Sequence, residues 1–210
     1  MRLETDAIGL TAVILVLLAY VLFGCVFLFR KKPPQTEEAK RAPAATFGIV
    51  LQSVSFVLAW NPPRPRWWPF PPSRAGEVAL AAAAIILAYA SCWFSVRAVQ
   101  TLGRQWTYAA RVIKGHELIT QGPYGVVRNP IYLGMFGLIL STCFVFSRWW
   151  SGLAAVVLFL IGNRIRIRTE EQLLRETFGD QFDEYVRRVP AFIPRLIRSL
   201  RGPKGKNRAE

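Results

Sequence analysis

The sequence predicts an all-α, polytopic membrane protein: about five transmembrane helices, the last two a tight helical hairpin, then C-terminal cytoplasmic or interfacial helices. Three observations predict this. Apolar residues make up 52% of the chain and come in long blocks without a charge. The blocks approach the roughly 20 residues that a helix needs to cross a bilayer. The basic residues gather in alternate connectors, as cytoplasmic flanks do.

The first block, Ile8–Phe29, is 22 residues long and spans comfortably. It is too long for a signal-peptide core, and its basic cluster at 30–32 follows it, so it reads as a retained anchor. The second block, Ala44–Trp60, has 17 residues and is adequate. The connector NPPRPRWWPFPPSR at 61–74 carries six prolines, so it is stiff and irregular. Its Trp67, Trp68 and Phe70 suit an interfacial belt. The third block, Val78–Val96, has 19 residues. The fourth, Ile131–Phe146, has 16, and the fifth runs from Trp149 to about Ile167. Only Ser147 and Arg148 join these last two, which makes them the hairpin.

If the C-terminus is cytoplasmic, 22 of the 27 Lys and Arg residues lie on the inside and 5 outside. That split predicts an N-out, C-in orientation, in the inner membrane for a prokaryotic protein. A net charge of +14 in a soluble protein would suggest nucleic acid. Here cytoplasmic flanks and anionic lipid account for it. Cys25, Cys92 and Cys143 all lie in apolar blocks and offer neither a disulfide framework nor metal-ligand spacing.

The organisation divides in three: spans with Pro-rich connectors over 1–96, a chemically rich region over 97–200, and a basic tail over 201–210 read as disordered. The polar stretch before the fourth block holds the only histidine, His116, and an Asn-Pro turn. Within it GPYGVVRNPIYLG sets Tyr124, Arg128, Asn129 and Tyr132 close together before a span. That is either an interfacial turn with aromatic anchors or a ligand site. After the fifth block comes NRIRIRTEE. On a helix continuous with the span, Arg166 faces Glu170 four residues on, and Arg168 faces Glu171 three on. Arginines at this depth suit the positive-inside rule, but adjacent glutamates gain nothing from anionic lipid. Helical periodicity continues from Thr169 to Phe178, a break follows at Phe178-Gly179, and Gln181–Arg188 reads as a second short helix. Val189-Pro190 and Ile193-Pro194 then end regular structure.

GHELITQGPYGVVRNPIYLG, followed after a hairpin by RIRIRTEEQLLRETFGDQFDEYVRRVPAFIP, resembles the isoprenylcysteine carboxyl methyltransferase family, relatives of the membrane phospholipid N-methyltransferases. The resemblance covers about residues 97–195. It implies an S-adenosylmethionine-dependent enzyme whose cofactor is enclosed at the cytoplasmic face. A lipophilic or prenylated substrate would enter from the bilayer. By resemblance, His116, Leu118, Ile119, Gly122, Tyr124, Asn129 and Tyr132 match cofactor-pocket positions, and Arg166 and Glu170 match active-site residues. Glu171 joins the cofactor set as a hydrogen-bond acceptor. The family pattern reads Arg-His-Pro-x-Tyr, whereas this chain has Arg128-Asn129-Pro130-Ile131-Tyr132. Asn129 can donate and accept hydrogen bonds but cannot titrate near neutrality.

The residue chemistry agrees. An arginine grips a carboxylate with two prongs, and a tyrosine face attracts a sulfonium. A carboxylate acceptor is already ionised and needs no base, while an amine or thiol would need Glu170 or Glu171 as proton acceptor. Arg97 and Arg104 flank the inner end of the third span and suit either a substrate's anionic head or anionic lipid. A sterol-reductase-type membrane enzyme using NADPH is the competing reading, and the paired glutamates count against a polyphosphate there. A non-enzymatic scaffold is the third; no span carries a charge at mid-depth, where a transport path would show one.

Overall fold

A computed structural model describes residues 3–28, 38–41, 45–61, 73–103, 111–113 and 117–194. His116, Arg104, most of the Pro-rich connector and the basic tail lie outside the described residues.

Each predicted apolar block is a helix. They are α1 (Leu3–Leu28), α2 (Ala45–Ala59), α3 (Arg74–Leu102), α5 (Pro130–Val145) and α6 (Trp149–Phe178). A single turn, α4 (Pro123–Val126), precedes α5, and α7 (Asp180–Arg188) follows α6. The stretches Ala7–Val26, Arg74–Leu102 and Trp149–Phe178 are long and apolar enough to cross a membrane. The 15 residues of α2 and the 16 of α5 reach only about 22–24 Å, short of a hydrocarbon core of about 30 Å.

Local signals set the helix ends. Ser73 caps α3, its Oγ accepting from the Gly76 amide at 3.2 Å, with Glu77 in the first turn. Pro130 opens α5, a position where its missing N–H costs nothing. Gly179, at φ +52°, ends α6 and starts α7; few residues other than glycine adopt that backbone cheaply. Asp180 and Asp183 then stand in the first turn of α7 and Arg187 and Arg188 in its last, complementing the helix dipole.

The helix read as continuous through NRIRIRTEE is present: α6 runs unbroken for 30 residues to Phe178. Arginines and glutamates are good helix formers, so nothing stops the helix at the end of its apolar part. One difference from the sequence prediction is a short antiparallel ribbon, β1 (Glu38–Arg41) with β2 (Arg111–Ile113), in which Lys40 pairs with Val112. It joins two connectors whose backbone groups need partners, a long-range pairing with no signature in apolar periodicity.

The helices pack in antiparallel pairs along seams of small residues. Gly48 and Gln52 of α2 lie beside Gly162 and Arg166 of α6, while Ser147 and Ser151 donate to the Ala59 and Leu58 carbonyls at the other end. A Cβ on Gly48 would stand 2.8 Å from the Gly162 carbonyl oxygen. Between α3 and α5 the contact is closer still: a Cβ on Gly134 would meet Ser95 Oγ at 1.9 Å. Membrane helices associate through such close approach, since hydrocarbon gives them no hydrophobic drive. Aromatic rings hold the far end, where Trp60 packs on Tyr20 and Phe146 with centroids 5.4 and 5.1 Å apart. Tyr20 OH also bonds Thr142 Oγ1 at 2.9 Å. Large apolar side chains such as Val57, Ile86, Trp93 and Leu153 point outward, as a lipid-facing surface requires.

Candidate active site

The antiparallel pairing brings the start of α2, the start of α5 and the polar half of α6 to one end of the bundle, against α7. Two clusters form there around the adjacent glutamates.

Glu170 centres the first. Its Oε1 accepts from the Tyr132 hydroxyl in a short hydrogen bond and from Arg166 Nη2 at 3.1 Å. The Arg166 guanidinium lies over the Tyr132 ring, 4.8 Å from its centroid, a cation–π contact. Arg166 and Glu170 are 12% and 24% exposed, so the pair is shielded without being sealed. The predicted four-residue pairing therefore exists, and Tyr132 joins it from α5.

Arg166 is also held from α2, where its Nη1 donates to Gln52 Oε1 at 3.3 Å. Gln52 itself is 3% exposed. Sequence reasoning passed over Gln52. The signal was there: a carboxamide in the middle of the apolar block Ala44–Trp60 is expensive unless it has a task.

Glu171 centres the second cluster. The Arg128 fork grips it through Nε at 2.8 Å and Nη2 at 3.1 Å, the bidentate geometry that makes Arg–carboxylate pairs strong. Arg128 Nη1 also donates to the Val186 carbonyl at 3.3 Å and to the Val189 carbonyl. The Arg128 and Asn129 amides bond the Pro190 and Ala191 carbonyls at 2.8 and 3.1 Å. Asn129 Nδ2 donates to Ala191 O at 2.9 Å and, more weakly, to Glu171 Oε1 at 3.5 Å. Where Arg168 was expected to meet Glu171, Arg168 is exposed and Glu171 turns to Arg128. Helix geometry decides this: consecutive residues differ by about 100°, so Glu170 and Glu171 face different neighbours.

The remaining predicted residues fall on the α7 side or apart. Leu118 packs on the cluster of Phe182, Tyr185 and Val189. Tyr124 is buried, and its carbonyl accepts from the Tyr185 hydroxyl at 2.6 Å. Burial pushes the Tyr185 phenol above its ordinary value, so it stays a donor throughout the neutral range. Gly122 adopts φ +59° beside Thr101 of α3, a conformation that favours glycine. Ile119 is half-buried, and Arg97 is exposed on α3. Arg164 is exposed too, as a flank residue should be.

Comparison with known proteins fits this arrangement. Residues 79–181 match the phospholipid methyltransferase family. The chain is 32% identical over 99 residues to protein-S-isoprenylcysteine O-methyltransferase B of Arabidopsis thaliana, covering 46% of this chain and 50% of that protein. It is 38% identical over 87 residues to the protein-S-isoprenylcysteine O-methyltransferase of Schizosaccharomyces pombe, covering 41% of this chain and 36% of that one. It is also 38% identical over 100 residues to the nickel-cobalt-cadmium resistance protein NccN of Alcaligenes xylosoxydans xylosoxydans, with 46% and 45% covered. The chain thus spans about half the length or less of these curated relatives. Residues 79–181, which hold Arg128, Tyr132, Arg166 and both glutamates, thus resemble the phospholipid methyltransferase family, and this part of the membrane protein is similar to protein-S-isoprenylcysteine O-methyltransferases.

Proposed function

We propose that the protein is an integral membrane, S-adenosylmethionine-dependent methyltransferase acting on a lipophilic, isoprenylcysteine-like carboxylate. Its catalytic region spans residues 97–200 and faces the cytoplasm, with the N-terminus outside. The observation that carries the reading is the Tyr132–Glu170–Arg166 cluster, within the matched segment. The donor set fits the cofactor: a carboxylate, an aromatic face that attracts cations, and an arginine fork stand together. Leu118, Ile119, Gly122, Tyr124, Asn129 and Tyr132 form the proposed cofactor wall, with His116 beside them in sequence.

When bound, S-adenosylmethionine supplies a methyl group on a sulfonium, and in-line displacement forms a carbon–oxygen bond as the carbon–sulfur bond breaks. The protein's share is alignment and exclusion of water. Glu170 presents negative charge to the cationic reactant. Arg166 and Tyr132 fix that carboxylate in place, so no reorganisation is needed at the moment of transfer. A cation and an anion become neutral products, which a site of low polarity favours. Glu171 is engaged by Arg128, so its contribution to the cofactor runs through the wall it supports. The Asn129 amide donates to Ala191, which suits a residue that holds the wall and moves no proton.

Thermal stability in detergent tests the reading. S-adenosylhomocysteine at 100 times its dissociation constant should stabilise the protein by about 2.7 kcal/mol, and NADPH should not. A shift with NADPH alone would overturn it. Radiolabelled cofactor should then label lipophilic acids in preference to amines and thiols.

A further inference from the structure

Gln52 lies on α2, outside residues 79–181. Its Oε1 accepts from Arg166 Nη1, and this fixes the carboxamide, because a flip would set N–H against N–H. The orientation leaves Nε2 as the buried end. That nitrogen has no hydrogen-bond acceptor among the described residues, and the residue is 3% exposed. A buried amide donor without a partner is costly. A leucine or methionine of similar volume at this position would avoid that cost. A site that keeps the amide has an acceptor for it when loaded.

The chemistry says what the acceptor is. The carboxamide oxygen bonds the Arg166 guanidinium, so an acceptor for its nitrogen would lie near a fixed positive charge. An oxyanion accepts from the amide and is drawn to that charge. A protonated amine has no lone pair to accept from it.

We propose that Gln52 is a substrate-recognition residue: Gln52 Nε2 donates to one oxygen of the methyl acceptor's carboxylate, beside Arg166. The second oxygen keeps its lone pair for the incoming methyl group. The first apolar half of the chain thus contributes directly to acceptor choice. This rests on the methyltransferase reading above.

The test compares wild type, Gln52→Met and Gln52→Glu in detergent, with S-farnesylcysteine as acid and as methyl ester. Gln52→Glu retains an acceptor for Arg166 but replaces the buried donor with a carboxylate oxygen. In wild type saturated with S-adenosylhomocysteine, the acid should raise the melting temperature more than the ester does. Both variants should erase that preference, raise KM for the acid at least tenfold, and keep the stabilisation by S-adenosylhomocysteine. Gln52→Glu should be the more severe. If Gln52→Glu shows wild-type KM and acid preference, Gln52 merely holds Arg166 and the assignment is wrong. If wild type itself is not stabilised by S-adenosylhomocysteine, the methyltransferase reading falls and the assignment with it. Should Gln52→Met fail to fold, Gln52→Glu decides alone.

Discussion

Replacing Arg128 with alanine should detach the C-terminal segment from the bundle while leaving the spans intact. Arg128 makes two bonds to Glu171 and two to carbonyls, those of Val186 in α7 and of Val189 just after it. The side chains of the pair are 9% and 16% exposed. Removing one partner of a largely buried pair costs about 3–5 kcal/mol, because a carboxylate is left uncompensated. Solvent reaches this one slightly, and Asn129 Nδ2 stands 3.5 Å away, so about 3 kcal/mol is the expected loss. If the loss is local, opening of α7 becomes roughly 100-fold more frequent, at 1.4 kcal/mol per tenfold. Hydrogen exchange followed by mass spectrometry reads this directly. The Asp180–Ala191 region should exchange about 100-fold faster, and peptides from α3 should be unchanged. The double variant Arg128→Met, Glu171→Leu should recover much of the loss, since no charge is orphaned. Equal protection of α7 in Arg128→Ala and wild type, or uniform acceleration over all helices, would refute the clamp.

Three further outcomes are expected. Gly48→Ala places a Cβ 2.5 Å from Arg166 Cγ and 2.8 Å from the Gly162 carbonyl; overpacking of this kind costs about 1–3 kcal/mol, so the melting temperature and the turnover should both fall. Glu170→Gln should abolish methyl transfer in a radiolabel assay and leave the protein folded by circular dichroism, and wild-type activity would remove Glu170 from the site. Tyr132→Phe keeps the ring beneath Arg166 but deletes the donation to Glu170; a hydrogen bond to a charged group is worth about 1.5–3 kcal/mol, so the single-turnover rate should drop roughly tenfold or more while binding of S-adenosylhomocysteine persists.

The spans were legible because their signal is local. An uncharged block of bilayer length can hardly be anything else, and each lies in a helix, although α3 extends beyond its block at both ends and α6 runs on past Ile167 to Phe178. The Arg166–Glu170 pair was legible for the same reason, being four apart on one helix. Arg128 with Glu171, 43 residues apart, and Arg166 with Gln52, 114 apart, were not. Such partners depend on which faces the glycine seams bring together. The seams have no periodic signature of their own, since one glycine in an apolar block reads like another. The turn α4 and the ribbon of β1 with β2 were missed because short elements held by tertiary contacts carry little propensity signal.

The adjacent glutamates acquire separate tasks from this geometry. Side chains next to each other on a helix point about 100° apart, so two carboxylates in sequence cannot both reach into one small cluster. Glu171 takes the Arg128 fork and, through Val186 and Val189, fastens the segment that follows α6. Glu170 faces Tyr132 and Arg166 and is the carboxylate placed for chemistry. Exchanging their surroundings is therefore not a neutral change. Glu171→Gln should loosen α7 before it touches the reactants, lowering affinity for S-adenosylhomocysteine and speeding exchange in residues 180–191. Glu170→Gln should leave that exchange at the wild-type rate and remove turnover. The two phenotypes separate a wall from a reacting centre, although the residues are neighbours in the chain. Identical exchange and turnover in the two variants would mean that the pair acts as one charge cluster.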